Sequence, residues 1–165
     1  MQREYGVVQG RVISEPDDIG RVRVSLNWLE GKNETYWASI ATPMTGSGRG
    51  MYYMPEVGDD VLVVFEHGNI EFPFIIGFLW NGDDKPPTSD RRLRLIHSVN
   101  GHEIAIYDPP ITSGDMGYVR LRDAQGNEVT LSNASITIRS VGMINIQAPS
   151  VVINGRAVLP IPKPI

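Results

Sequence analysis

The sequence predicts an all-β protein in two parts: an N-terminal five-stranded barrel, then a C-terminal shaft that several copies of the chain must build together. Three observations predict it. Residues 1–80 hold five short alternating apolar runs separated by Gly, Pro and Asp turns, with no stretch of helical period. Residues 81–90, opening Asn81-Gly82-Asp83-Asp84-Lys85-Pro86-Pro87, then read as a linker by composition. Beyond it a two-residue apolar beat recurs, Val129/Leu131, Ile136/Ile138, Ile144/Ile146 and Val151/Ile153, in steps of 7, 8 and 7 residues.

The barrel strands follow in order. Gly6 to Ile13 alternates, the turn from Glu15 to Gly20 breaks it, and Arg21 to Trp28 alternates again with Val22, Val24 and Leu26 on one face, which makes a hairpin. Tyr36 to Ala41 is a third strand, and a Gly-rich excursion, Thr42 to Gly50, follows. Val61 to Phe65 and Pro73 to Leu79 flank the turn at Glu66 to Asn69. Five short antiparallel strands can close into a small barrel of the OB type, which removes the sheet edges that invite aggregation; a sandwich would need more strands. Trp28, Trp37 and Trp80 are expected to pack in the barrel or in a collar around it.

In the second part, Leu93 to Val99 and His102 to Ile106 flank Asn100-Gly101, a turn pair whose tolerance of positive φ favours a two-residue hairpin. Val119/Leu121 and the turn from Asp123 to Asn127 open the repeat. Each element then supplies one short strand with one buried face, and the chain turns a corner every seven or eight residues. So short a period gives each layer only about two inward side chains per chain, too few to bury a thin sheet. Other copies must close it, with Val119, Leu121, Val129, Leu131, Ile136, Ile138, Ile144, Ile146, Val151 and Ile153 facing inward and Arg120, Arg122 and Arg139 outward. The shaft spans 91–157. After it, Pro160, Pro162 and Pro164 end the sheet, because proline donates no ladder hydrogen bond. That leaves 158–165 as an apolar tip in which Val158, Leu159, Ile161 and Ile165 suit a docking plug.

Composition narrows the function. The chain has 165 residues, 41% hydrophobic and 21% charged, and no cysteine, so neither a disulfide framework nor a thiolate metal site is available. No signal sequence opens it, and no apolar stretch approaches the roughly 20 residues of a membrane helix; synthesis in a cytosol is expected. Residues 1–90 carry 7 Lys/Arg against 14 Asp/Glu, and residues 91–165 carry 8 against 5. An acidic barrel lacks the attraction to phosphate that dominates nucleic-acid affinity. His67, His97 and His102 sit at turns without metal-ligand spacing, and the adjacent carboxylates Asp59/Asp60 and Asp83/Asp84 fall in turns where neighbours diverge. Gly46-Ser47-Gly48-Arg49-Gly50 lacks the Lys-Ser/Thr end of a phosphate loop. No catalytic residue, cofactor or metal is expected. A free-standing OB module for oligosaccharide or single-stranded nucleic acid is the alternative, but it leaves the repeat unexplained.

The strings GVVQGRVISEPDDIGRVRVSLNW, YWASIATPMTGSGRGMYYMPEVGDDVLVVFEHGN and PFIIGFLWNGDDKPP closely resemble the OB domain of the baseplate assembly protein V/VgrG spike family of contractile phage tails, type VI secretion systems and related injection systems. NGHEIAIYD, VRLRDAQGNEVTLSN and ITIRSVGMINIQAPSVVING resemble that family's triple-stranded β-helix. The resemblance implies an OB-fold barrel followed by an intertwined trimeric β-helix, and a structural role. It implies a homotrimer at the centre of a baseplate, OB domains forming a collar under the tail tube and the shaft aimed at the target membrane, which the machine pierces when its sheath contracts. Long family members carry a hub domain before the barrel; here the barrel begins near Met1, so a separate hub or tube-initiator protein is expected. Some phage spikes end in an iron-binding His-x-His motif, which does not occur here. The tip is then either the chain's own 158–165 or a separate PAAR-like cone.

Overall fold

The computed structural model describes residues 3–26 and 36–158, and the chain divides into two compact units, Met1–Pro86 and Pro87–Ile165. In the first unit the strands are β1 (Val8–Val12), β2 (Val22–Ser25), β3 (Trp37–Ile40), β4 (Thr45–Gly46), β5 (Arg49–Gly50), β6 (Asp60–Phe65) and β7 (Pro73–Leu79). Five of them close a barrel in the order β1-β2-β3-β7-β6, while β4 and β5 form a separate small hairpin inside the Gly-rich excursion.

The barrel core follows the period of two. Val22, Val24 and Leu26 point inward from β2 and its end, Val61, Val63 and Phe65 from β6, and Val12, Ala38 and Ile75 join them. Gly10 faces the same core, and a Cβ there would overlap the Val24 side chain, so the missing side chain is what lets Val24 and Leu26 fill the barrel. Trp37 is not in this core: it lies half-buried on β3, with the guanidinium groups of Arg23 and Arg21 over its ring at 5.0 and 5.9 Å. Trp80 is exposed just past β7, and Trp28 lies outside the described residues.

One pairing corrects the all-antiparallel expectation: β3 and β7 run parallel, Ser39 opposite Phe74 and Ile40 opposite Ile75. The cause is parity. Around a closed ring of five strands, direction cannot alternate at every step, so at least one neighbouring pair must be parallel. The other four pairs are antiparallel.

Asp60 is the buried charged residue of the barrel among the described residues. Arg11 donates to it from β1 at 3.0 Å and the Asn81 amide at 2.7 Å, while Asn81 Oδ1 accepts the backbone N–H groups of Asp83 and Asp84. The carboxylate therefore clasps the chain leaving β7 to β1 and β6. The hydrogen bonds from Arg11 and then Asn81 hold the Asp60 pKa below the usual carboxylate value. Asp59, the preceding residue, turns the other way and accepts from the Glu56 N–H at 2.9 Å.

In the second unit the strands are β8 (Leu93–His97), β9 (Glu103–Tyr107), β10 (Tyr118–Arg122), β11 (Glu128–Ser132), β12 (Ser135–Arg139), β13 (Val152–Ile153) and β14 (Arg156–Ala157). The first five form an antiparallel meander, β12-β11-β10-β9-β8, and the last two a separate hairpin. Asn100-Gly101 turns β8 into β9, and Asn133-Ala134, both at positive φ, turn β11 into β12. No strand forms at Ile144/Ile146, where the spacing predicts that the repeat continues. Among the described residues, nothing in the same chain lies in register to pair with that segment.

Because the Asp60 pKa is depressed on folding, its stabilisation is fully present above the ordinary carboxylate range and lost as pH falls through the depressed value. All three tryptophans fall within residues 1–80, so their emission reports unfolding of the first unit. Asp60→Asn is expected to lower the barrel's melting temperature at pH 7, with the gap to wild type closing as pH falls. A gap constant from pH 7 to pH 2 would contradict the clasp.

Candidate self-association surface

Register sorts the meander into two faces. Ile96 stands opposite Ile104, Ile104 opposite Leu121, Leu121 opposite Val129 and Val129 opposite Ile138; a second row runs Ile106, Val119, Leu131, Ile136. Because side chains alternate along each strand, these nine residues share one face. Its charged member is Arg94, on edge strand β8, whose guanidinium meets Asp108 at 2.7 Å.

The opposite face carries most of the charges and packs on itself, with half-buried Leu93 and Leu95 of β8 opposite Tyr107 and Ala105. The row Glu103, Arg122, Glu128, Arg139 alternates in sign across four strands, an arrangement that favours cross-strand pairing. Arg120 donates to Glu103 at 2.6 Å, and its guanidinium lies 4.8 Å over the Tyr118 ring. Tyr118 in turn stacks on Tyr107 with ring centroids 5.4 Å apart, and Ala105 is buried beneath this group. So Arg120, Arg122 and Arg139 lie away from the apolar residues.

The burial is inverted relative to an ordinary soluble sheet. The charge-bearing face holds the buried Ala105, while on the other face Leu121, Ile136 and Ile138 remain 51%, 72% and 62% exposed. A continuous apolar sheet face left open to water marks an interaction surface. The turns that hold it are built locally. Asp123 accepts the N–H groups of Gln125 and Asn127 as well as the Asn127 side-chain amide, and that amide leads the interactions holding the Asp123 pKa low. Asn133 accepts the Met116 N–H, and its amide donates to Asp115 at 3.0 Å. Gly117, at φ +77, enters β10 where a Cβ would overlap the Tyr107 carbonyl.

The apolar face gathers Val119, Leu121, Val129, Leu131, Ile136 and Ile138 from the residues singled out by their spacing. It adds Ile96, Ile104 and Ile106, which the same alternation around Asn100-Gly101 could have assigned. Ile144 and Ile146 are exposed and outside any strand, and Ile153 lies in the β13–β14 hairpin beside half-buried Val151. That hairpin turns at Asn154-Gly155, the same dipeptide signal as Asn100-Gly101, and it replaces the single strand that the spacing predicts at Val151/Ile153. Val158 donates its N–H to the Val151 carbonyl at 2.7 Å, and Leu159, Ile161 and Ile165 lie outside the described residues. Among the described residues no cluster of His, Cys, Asp or Glu could hold a metal, and no helix is long and apolar enough to cross a membrane.

A closed OB barrel joined to a sheet whose apolar face has no cover among the described residues defines a structural protein built for assembly. The comparisons with known proteins agree: residues 5–80 match the type VI secretion system/phage-baseplate injector OB domain, and residues 94–159 match the phage baseplate V C-terminal trimerisation domain. The chain belongs to the phage baseplate V/VgrG spike family, and the matched domains are structural ones, not enzymes. It is 25% identical over 91 residues to the type VI secretion system spike protein VgrG2a of Pseudomonas aeruginosa, covering 53% of this chain and 11% of that protein. It is 28% identical over 75 residues to VgrG1a of the same species, covering 43% and 12%, and 28% identical over 93 residues to the spike protein VgrG3 of Vibrio cholerae, covering 53% and 9%. The chain thus spans about a tenth of the length of these curated relatives.

The Gly117 geometry gives a local test of the sheet. Gly117→Ala is expected to unseat the start of β10 and destabilise the second unit by roughly 1–3 kcal/mol, read as faster amide exchange in β9 and β10 with the barrel's exchange unchanged. Exchange indistinguishable from wild type in β9 and β10 would contradict it.

Proposed function

We propose that this chain is the central spike of a contractile injection machine, in a phage tail, bacteriocin or type VI-like particle: a homotrimer that caps the tube or hub and pierces the target envelope when the sheath contracts. The observation that carries this reading is the open apolar face of the meander, lying inside the segment that matches a trimerisation domain. In this reading 1–80 is the OB domain, 81–90 the linker, 91–157 the shaft with its collar hairpin, and 158–165 the tip.

The mechanism is mechanical. Turned toward a threefold axis, the face carrying Leu121, Leu131, Ile136 and Ile138 becomes a shared dry core, and the alternating charges of the other face meet water. Each buried Ile, Leu or Val contributes about 1.5–3 kcal/mol, and symmetry applies every inward position three times. Stability then accumulates layer by layer, as in repeat proteins. Ile144, Ile146, Val151 and Ile153 continue the same core where three chains wind into an intertwined β-helix, and partner strands satisfy the backbone that one chain leaves unpaired from Ile144 to Ile146. A shaft without free edges transmits axial force without peeling.

The partners follow from the role: two further copies, a hub or tube-initiator protein above the OB collar, other baseplate proteins, a PAAR-like tip protein at the C-terminus, and transient contact with the target membrane. Nucleic acid is not among them. Assembly into the particle takes place in the bacterial cytoplasm.

Three variants test the reading. Ile138→Asp places three like charges near the axis, each costing several kcal/mol unless paired, and is expected to abolish the trimer in sedimentation velocity, while Thr137→Asp on the opposite face leaves it intact. If Ile138→Asp still sedimented as the wild-type trimer, the face assignment would be wrong. Deleting 158–165 is expected to keep the trimer and abolish capture of the tip protein in a pull-down; undiminished capture would remove the tip residues from the docking site.

A further inference from the structure

An asparagine followed by glycine is chemically vulnerable, because a residue without a Cβ leaves its backbone nitrogen free to reach the preceding side-chain amide. The sequence contains this pair at Asn81-Gly82, Asn100-Gly101 and Asn154-Gly155. The three sites differ in their hydrogen bonds. At Asn81 the side-chain amide is held at both ends: Nδ2 donates to Asp60 at 2.7 Å and to Asp84 at 3.0 Å, and Oδ1 accepts the N–H groups of Asp83 and Asp84 at 2.8 and 2.6 Å. At Asn100 the side chain is exposed, but the attacking nitrogen is engaged, since the Gly101 N–H donates to the Ser98 carbonyl at 2.9 Å. At Asn154 neither restraint exists. The residue is exposed at φ +49, and among the described residues neither its amide nor the Gly155 N–H has a hydrogen-bond partner.

We infer that Asn154 is a self-modifying site, at which the chain converts its own asparagine to aspartate and isoaspartate without an enzyme. The Gly155 nitrogen loses its proton to solvent and attacks Cγ of Asn154. The new C–N bond closes a five-membered succinimide, the Cγ–Nδ2 bond breaks, and the amide leaves as ammonia with a proton returned by solvent. Water then opens the ring at either carbonyl, giving aspartate, or isoaspartate with the main chain routed through the side chain. The reaction needs the nitrogen and Cγ in an attacking geometry, which a fixed turn resists. The β13–β14 hairpin is fixed only by the pairs Val152 with Ala157 and Ile153 with Arg156 and by the Val158 N–H on the Val151 carbonyl, and so short a hairpin opens readily. Asn81 is the opposite case, because swinging its amide toward Gly82 breaks four hydrogen bonds, one of them to the buried Asp60. Isoaspartate puts an extra backbone atom into a two-residue turn whose length sets the strand register, and either product adds a negative charge. Modification therefore unpairs β13 from β14 directly ahead of residues 158–165. The chemistry lies within one chain and does not depend on the spike reading.

The test uses the intact wild-type chain, aged in mildly alkaline buffer at body temperature beside a sample kept in denaturant. Both are digested at intervals, and each Asn-Gly peptide is read by mass spectrometry for amide loss, with isoaspartate identified by enzymatic methylation. In the folded chain Asn154 is expected to convert first, about tenfold or more faster than Asn81, with Asn100 between them; in denaturant the three rates are expected to converge. Conversion at Asn154 no faster than at Asn81 in the folded chain overturns the inference. The same order and ratio in denaturant also overturns it, because the difference would then come from the neighbouring sequence and not from the fold.

Discussion

An antiparallel sheet with one self-packed, charge-bearing face and one apolar face needs cover on the apolar side, and this chain does not supply it among its described residues. In most soluble domains a helix or second sheet packs on the apolar side. Here the described residues contain no such layer, and nine apolar side chains on β8–β12 share a face that stays open. The rest of the second unit follows from that constraint: Glu103, Arg120, Arg122, Glu128, Arg139 and the tyrosines are gathered on one face, Asx turns fix the register, and Gly117 lets β10 begin against the Tyr107 carbonyl.

The two units solve the edge problem differently. The barrel closes on itself, accepting one parallel pair because five strands cannot alternate all the way round, and it pins its exit with the Arg11–Asp60–Asn81 clasp. The meander stays open at β8 and β12, and an open edge beside an open apolar face favours assembly over isolation. A single chain thus joins a finished module to an unfinished one. In the proposed spike this division would be useful, because threefold repetition would supply the core and stiffness that the open sheet lacks alone.

Much of this was legible in the sequence because it depends on local alternation. The barrel strands, the Asn100-Gly101 hairpin and the shared face of Val119 through Ile138 follow from a period of two plus turn residues. What was not legible depends on long-range closure. The parallel β3–β7 pair follows from strand order, which the propensities of Trp37–Ile40 do not encode. The Asp60 clasp joins residues 49 and 21 positions apart. Ile144 and Ile146 show the converse: their alternation is clear, yet among the described residues of one chain no neighbour lies in register to complete a strand. The Asn154-Gly155 hairpin was readable from its dipeptide and was masked by the stronger signal of a continuing repeat.

The central claim is that the open face is closed by two more copies of the same chain. The most direct measurement is the solution mass of the intact protein by light scattering, before and after mild heating. The account predicts a monodisperse species of three times 18.3 kDa that survives the heating. A monodisperse monomer with native circular dichroism would contradict it, because the apolar face of β8–β12 would then be stable in water without a partner.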